Sequence, residues 1–120
     1  MRIQNEQLTL SGVDMTANIT SDAVWLGHIA NLSIQLVFTG SPNGVLKLQA
    51  SCDEQDRSNP KNTVVTNWTD VSGSHITITA AGDHMWTIEN AGYTFIRVVW
   101  TDSASGVSTI TSARYQVKGV

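Results

Sequence analysis

The chain has 120 residues, a formal net charge of −3 and a single cysteine, with 14% of its residues charged and 41% hydrophobic. This length fits one domain with one core, spanning residues 1–120. The seven Lys and Arg residues are scattered, which argues against a nucleic-acid partner because neutralising phosphates requires a basic stripe. Cys52 alone allows no intrachain disulfide and no cysteine-based metal cage.

The opening residues, MRIQNEQLTL, lack the basic-then-apolar layout of a signal peptide, and no apolar run approaches the roughly 18–20 residues of a membrane span. We therefore expect a soluble product that is made in a cytoplasm and has no membrane partner. The charged fraction of 14% lies below the roughly one quarter that is typical of soluble domains. A surface with so little charge is poorly protected against association, which favours a chain that assembles with copies of itself or with partners.

Alternation of apolar and polar residues recurs along the chain, and no window of helical length keeps a three-to-four spacing. The first strands are predicted at about 4–10 and 13–19. Residues 1–12 are interpreted as an N-terminal arm or an edge strand, because Arg2–Leu10 is expected to pair with a strand or to lie against a neighbouring subunit. Residues 22–30 fit either a short irregular strand or a single helical turn.

The clearest strand signal is the strict alternation over residues 32–39, and a second alternating run covers residues 45–50. Between them stands Gly40-Ser41-Pro42-Asn43-Gly44. Proline presets the first turn position and Asn-Gly tolerates positive φ, so this segment predicts a β-hairpin.

The segment Cys52–Asn62 is too polar and too broken for a strand and is predicted to be the longest loop. It precedes three further strands, at about 63–69, 74–79 and 84–89. Turn signals about ten residues apart are typical of a sandwich or a barrel.

The strand predicted at 93–102 is apolar on both faces apart from Thr94 and Arg97, which indicates a central strand covered on both sides. Ser103-Ala104-Ser105-Gly106 then predicts a second hairpin, leading into a last strand at 107–117. One face of this last strand is expected to carry Val107, Thr109, Thr111, Ala113, Tyr115 and Val117.

These elements predict an all-β fold, an antiparallel β-sandwich or jelly-roll-like domain of about eight strands with negligible helix. The side chains expected to be buried are Leu36, Phe38, Leu48, Trp68, Ile96 and Val98.

The sequence offers few candidates for catalysis. His28, His75 and His84 fall in three different segments, with no pair at ligand spacing and no triad signature. No pair of titratable groups is placed for acid-base work and no phosphate-cradling loop is present. We therefore expect no enzyme activity, no catalytic residue and no cofactor, and we interpret the histidines as polar residues at strand ends.

Asp53, Glu54 and Asp56 form an acidic cluster that superficially suggests a calcium loop. The alternating ligands, the turn glycine and the distal bidentate Glu of such loops are absent. The cluster is better interpreted as a solvated loop, and no metal site is predicted.

Four tryptophans, Trp25, Trp68, Trp86 and Trp100, lie within or beside strands, where large aromatic residues normally belong to the core. Exposed tryptophans would instead supply stacking platforms for sugars or single-stranded nucleic acid. A carbohydrate-binding or host-adhesion module that binds a surface glycan is therefore the main alternative function.

Several segments in order, LSIQLVFTGSPNGVLKLQASCD (32–53), NWTDVSGSHITITAAGDHMW (67–86) and YTFIRVVWT (93–101), resemble small structural proteins of tailed bacteriophages and prophages. The likeness covers roughly residues 22–117. The resemblance implies a β-sandwich virion component, such as a head decoration protein, a head-fibre base or a small tail-associated module. It assigns no functional residue.

The resemblance, the low charge and the two-sided apolar strand together favour a capsid decoration protein that binds the major capsid protein or other virion proteins. Its working form is expected to be a homo-oligomer, most plausibly a trimer, because a trimer suits the local three-fold positions of an icosahedral shell. The localisation expected is the virion, after synthesis in the cytoplasm of the bacterial host. A monomer with tied-down ends and a cytoplasmic regulator of one host protein are the remaining alternatives.

Overall fold

The computed structural model describes residues 3–26, 29–53, 65–89 and 93–119, and these residues form ten β-strands and no helix. The all-β prediction is therefore confirmed. None of the described residues belongs to a helix that is long and apolar enough to cross a bilayer. The strands are β1 (Ile3–Gln7), β2 (Ile19–Thr20), β3 (Val24–Trp25), β4 (Ile29–Gly40), β5 (Gly44–Ser51), β6 (Thr69–Asp70), β7 (Ile76–Ile78), β8 (Gly82–Ile88), β9 (Phe95–Asp102) and β10 (Ser108–Gly119).

The strands form two antiparallel sheets that face each other as a sandwich. The four-stranded sheet has the order β1-β10-β4-β8, and the six-stranded sheet has the order β2-β9-β5-β6, with β3 also paired to β9 and β7 to β5. The count is close to the predicted figure of about eight strands, but the strands predicted at 13–19, 63–69 and 74–79 are shortened to the two or three residues of β2, β6 and β7. Strands this short give almost no periodic signal in a sequence.

The core lies between the inner faces of the two sheets. Each long strand contributes alternate side chains, as β4 does with the buried Ile34, Leu36 and Phe38. Trp100 of β9 is fully buried, and its Nε1 donates a hydrogen bond of 2.9 Å to the Met15 carbonyl oxygen. The predicted burial of Leu36, Phe38, Leu48, Ile96 and Val98 is confirmed.

Both predicted hairpins are wrong. β4 pairs with β10 and β8, whereas β5 pairs with β9, β6 and β7, so residues 41–43 cross from one sheet to the other. The β9–β10 connection does the same. A local turn signal specifies a chain reversal and does not specify whether the two strands then share hydrogen bonds. Here the inward apolar residues of β4 and β5 face each other across the core instead.

The two sheet-crossing connections lie side by side and bond to each other. Ser41 N–H donates to the Val107 carbonyl at 3.0 Å, and Gly106 N–H donates to the Ser41 carbonyl at 2.9 Å. Ser103 N–H donates to the Asn43 carbonyl at 2.7 Å, and Asn43 N–H donates to Ser105 Oγ at 2.8 Å. We call residues 41–43 and 103–107 the paired crossovers.

The final strand also departs from its predicted pattern. A register shift between Ile110 and Ser112 interrupts the pairing of β10 with β4. The extra residue reverses the alternation, so Ile110 is buried and Val107 is 89% exposed. Ala113 and Val117 are buried as expected, and the single inward face predicted for 107–117 holds only beyond the bulge.

The remaining expectations concern shorter segments. The strand predicted at 13–19 is reduced to a bridge at Asp14 and to β2, and the strand at 63–69 to β6, with residues 63–64 outside the described part of the chain. Residues 22–30 contain β3 and the start of β4 among their described positions. β9 is a central strand, with Phe95 and Ile96 both buried. β1 forms the edge of the four-stranded sheet, beside β10 of its own chain.

The paired crossovers require a glycine at position 40. Gly40 has φ +89°, and a Cβ there would run into the Val107 carbonyl oxygen and lie 2.7 Å from Ser108 Cα. Gly40→Ala should therefore lower the free energy of unfolding by about 2–4 kcal/mol, combining left-handed strain with overpacking. Chemical denaturation measures the loss.

Gly73→Ala is the matched control, because Gly73 has φ +77° and nothing within 4 Å of its added Cβ. This variant should lose only the conformational part, about 1–2 kcal/mol. Equal losses in the two variants would contradict the close packing of the crossovers.

Candidate functional site on the outer face of the six-stranded sheet

The outward side chains of three neighbouring strands meet on the outer face of the six-stranded sheet. In β5, Leu46 and Leu48 point into the core, so the half-buried Lys47 and Gln49 point outward. The pairing register sets Gln49 opposite Arg97 of β9 on one side and opposite Asp70 of β6 on the other. Sheet geometry therefore lines up a guanidinium, an amide and a carboxylate.

These side chains form a continuous chain of hydrogen bonds. Arg97 donates to Gln49 Oε1 from Nε at 2.9 Å and from Nη2 at 2.7 Å. Gln49 Nε2 donates to Asp70 Oδ1 at 2.9 Å, and Lys47 Nζ donates to Asp70 Oδ2 at 3.2 Å. The Gln49 amide thus accepts from the cation and donates to the anion, which fixes its orientation.

Trp68 covers the arginine end of this chain. The Cζ atom of Arg97 lies 4.1 Å from the centroid of the Trp68 ring, within the range of a cation–π contact. Trp68 is half-buried, so its predicted place in the core is wrong. The Trp68 ring, next to β6 in the chain, is stabilised by its contact with the positive charge of Arg97 on the surface of the sheet. We call Lys47, Gln49, Trp68, Asp70 and Arg97 the outer-face network.

The carboxylate of the network is held in its ionised form. Hydrogen bonds from Gln49 and Lys47 lower the pKa of the Asp70 carboxyl. His75 Nε2 lies 3.5 Å from Asp70 Oδ2 and adds to this effect when it is protonated. Partial burial lowers the pKa of the Arg97 guanidinium, which remains charged at neutral pH. The network therefore presents hydrogen-bonding groups and a π surface.

Asp53 joins the end of β5 to the segment that leads into β6. Its Oδ2 accepts hydrogen bonds from the N–H groups of Thr66 at 2.8 Å and Asn67 at 3.1 Å, and its Oδ1 accepts one from Asn67 Nδ2 at 2.8 Å. These bonds, with that from the Asn67 side chain the strongest, lower the pKa of Asp53 to about 2. Asp53 thereby fixes the position of the backbone immediately before Trp68.

A groove of about 610 Å³ lies next to the network and is bounded by the end of β5, the β6 region and Tyr93. Most of the residues along it carry polar side chains, and Tyr93 contributes a half-buried aromatic ring. Its lining residues are Ala50, Ser51, Cys52, Asp53, Asn67, Thr69, Asp70, Val71, Ser72 and Tyr93. Such walls suit a ligand or a partner surface that combines polar groups with some apolar area.

His75 and His84, the candidate histidines within the described residues, are not brought together. His75 lies beside Asp70, whereas His84 lies in β8 of the other sheet, where its ring meets Trp86 edge-on at 4.8 Å and burial lowers its pKa. His28 lies outside the described residues. Across residues 3–26, 29–53, 65–89 and 93–119, no three His, Cys, Asp or Glu side chains are grouped for a metal ion.

The acidic cluster is only partly described, since Glu54 and Asp56 lie outside the described residues. The third member, Asp53, directs its carboxylate to Thr66 and Asn67 of its own chain. Its role in the described part of the structure is to join two segments.

The four tryptophans occupy two environments. Trp86 and Trp100 are buried, and Trp86 Nε1 donates to the Ser74 carbonyl oxygen at 2.9 Å. Trp25 and Trp68 are half-buried.

The sequence pattern marked Arg97 only as an interruption of an apolar strand and did not identify Gln49 or Asp70. Gln49 and Asp70 are polar residues at outward positions of β5 and β6, which is a signal that the sequence contains. That they contact each other depends on the pairing of strands that are distant in sequence.

No known protein-family model matches the chain, and no curated protein matches its sequence. Solved structures share its fold at low sequence identity. The SPBc2 prophage-derived protein YomS has a TM-score of 0.57 at 13% identity, with 98% of this chain and 95% of that chain covered. The PBSX exported protein XepA has a TM-score of 0.52 at 16% identity, with 98% of this chain but only 37% of that chain covered. The coat protein of Tobacco streak virus gives a TM-score of 0.49 at 9% identity, covering 99% and 87% of the two chains.

The Asp53 contacts predict a titration result. In an NMR titration, Asp53 should ionise near pH 2, and Asn67→Ala should raise its pKa towards the ordinary aspartate value of 3.8 by removing the largest cause of the shift. Because the folded pKa is depressed, this carboxylate stabilises the fold above about pH 4, and the contribution is lost as the pH falls towards 2. The variant should show a weaker loss over that window.

Gln35→Ala is a control on the opposite sheet, since Gln35 is exposed on β4, and it should leave the Asp53 titration unchanged. An Asp53 that ionises near 3.8 in the unaltered chain would contradict the described contacts.

Proposed function

We propose that the chain is a virion structural protein of a tailed bacteriophage or prophage, a capsid decoration subunit that binds the head shell and stabilises it as an oligomer. The proposal rests on the sequence resemblance to phage structural proteins. The likeness of fold to the SPBc2 prophage-derived protein YomS supports it, because that likeness extends over 98% of this chain.

One structural observation carries the proposal. The segments of the phage resemblance are far apart in sequence, yet LKLQAS forms most of β5, NWTDV contains β6 and IRVVWT lies in β9. These three strands are neighbours in one sheet. All five residues of the outer-face network belong to these segments and are joined by direct contacts. The resemblance therefore includes one assembled surface as well as core positions.

The chemistry of this surface supports binding in preference to catalysis. Its groups are paired with each other on a rigid sheet, and among the described residues no nucleophile, base and orienting group converge. Pre-ordered polar groups bind a partner without losing much side-chain entropy. We propose on this basis that the chain is not an enzyme.

A particle experiment tests the virion role. Phage particles are purified on a density gradient from cells that carry the gene, and the chain should co-purify with the major capsid protein. Deleting its gene should yield particles without it, and purified chain added back should co-sediment with those shells. Recovery of the chain only in the soluble lysate, or only in the tail fraction, would contradict a decoration role.

A second function, glycan binding, is favoured by the half-buried Trp68, whose chain neighbours Asn67 and Thr69 line a groove of about 610 Å³. Aromatic rings stack on sugar rings, and side chains such as Asn67 and Asp70 at the groove supply hydrogen bonds. On this alternative the chain would be an adhesion module of a tail or head fibre.

A glycan array separates the two functions. If the chain binds a glycan through this surface, Trp68→Ala should weaken binding about 5- to 150-fold, taking the stacking contribution as about 1–3 kcal/mol, the range known for bases stacked on aromatic side chains. Val107→Ala, at a position on a crossover that is 89% exposed, should bind like the unaltered chain. No glycan binding by the unaltered chain, or equal binding by Trp68→Ala, would exclude this surface as a sugar site.

A further inference from the structure

The two sheets end in very different edges. The six-stranded sheet is bordered by β2, β3, β6 and β7, which are only two or three residues long. The four-stranded sheet is bordered by β1, with five residues, and by β8, with seven. Short edge strands protect a sheet against pairing with other chains, and long regular ones invite it.

β8 carries few of the devices that block an edge. Its sequence GDHMWTI contains no proline and no lysine, and it pairs with β4 over seven consecutive residues without a register shift. In the described part of the chain, no backbone hydrogen bond outside the sheet involves residues 82–88. Met85, at the middle of the strand, is 52% exposed. An edge strand with an open side offers a row of N–H and carbonyl groups to an added strand.

We infer that β8 pairs antiparallel with β8 of a second copy of this chain, around a two-fold axis that passes next to Met85. In this register Met85 faces the partner's Met85, Asp83 faces the partner's Thr87, and His84 faces the partner's Trp86. Side chains that point inward stay on the inner face of both copies, because opposite residues of an antiparallel pair lie on the same face.

Strand overlap and charge favour this register among those that keep both cores on the same side, because only a pairing centred on Met85, the middle residue of β8, matches all seven strand residues of both copies. Pairings centred on His84 or on Trp86 match only five of the seven residues, and the one centred on Trp86 also sets Asp83 against the partner's Glu89. Like charges directly opposite each other destabilise a pair of strands. The pairing centred on Met85 brings no like charges together and covers the most exposed large side chain of β8.

A second copy is favoured over other occupants by symmetry. A two-fold pairing uses the same edge of both subunits and satisfies both at once, whereas β8 against a partner's β1 would leave a free edge at each end of an open array. The product is a continuous eight-stranded sheet across two subunits. The inferred unit is therefore a dimer, which differs from the trimer predicted from the sequence.

This inference deepens the proposed function by naming the surface through which copies associate, but its test needs only the purified chain. In a Cys52→Ser background, which removes the exposed native thiol, the variant Met85→Cys is treated with a bifunctional maleimide of short spacer. It should cross-link almost completely into covalent dimers. Asp83→Cys should cross-link poorly alone, because positions 83 of the two copies would be ~13 Å apart along the strands. A mixture of Asp83→Cys and Thr87→Cys should cross-link well.

Light scattering provides an independent measurement. The unaltered chain should have twice the monomer mass of 13.0 kDa, and Met85→Lys should raise the dimer dissociation constant at least tenfold by placing two like charges at the axis. Its denaturation midpoint at a fixed low concentration should stay unchanged, since position 85 is exposed in the single chain. Val107→Lys, at a position that is 89% exposed on a crossover, should remain dimeric.

Several results would overturn the inference: a monomeric unaltered chain, an oligomer in which Met85→Cys does not cross-link, or equal cross-linking of Met85→Cys and Asp83→Cys alone. Each of these leaves the co-sedimentation test of the virion role intact. Conversely, a β8 dimer that does not bind shells would support the edge pairing and contradict the proposed function.

Discussion

The hydrogen-bonded pair of sheet-crossing connections is the constraint on which the rest of this structure depends. Because 41–43 and 103–107 bond to each other, β4 with β10 and β5 with β9 are held as two facing pairs. This close approach requires Gly40, and the pairing of β5 with β9 beside it requires Gly44. A Cβ at Gly40 would meet Val107 and Ser108, and one at Gly44 would meet the Thr101 carbonyl oxygen and the Trp100 ring. The facing pairs then enclose the core around Trp100.

The outer-face network is a consequence of the same arrangement. Once β5 and β9 are neighbours, alternation sends Gln49 and Arg97 to the same outer face. The added β6 brings Asp70 to the other side of Gln49, and Trp68 caps Arg97. Segments of the phage resemblance that are about twenty to thirty residues apart in the chain thus build one surface. This convergence connects the fold to the proposed binding role.

Sequence reasoning predicted what depends on local pattern and failed where partners are distant. Alternation correctly identified the inward positions of β4, β5 and β9, because a strand with one buried face has apolar residues at every second position. It could not tell a hairpin from a crossover, since Gly40–Gly44 reverses the chain in either case. It put Trp68 in the core because a large apolar ring is usually buried, and the compensating contact with Arg97 comes from a strand about thirty residues away. The residue composition around Thr111 does not indicate a bulge, so the predicted alternation of β10 was wrongly continued from residues 113–117 back to residue 107.

If the paired crossovers hold the sandwich together, their backbone amides should exchange with solvent only when the whole domain unfolds. Native-state hydrogen exchange measures this directly for Ser41, Ser103 and Gly106, whose backbone N–H groups donate to backbone carbonyls of the other connection. The account predicts opening free energies close to those of core-strand amides such as that of Leu36, and far above that of Thr16, which bonds only to the nearby Asp14 side chain. Exchange of the three crossover amides as fast as that of Thr16 would contradict it.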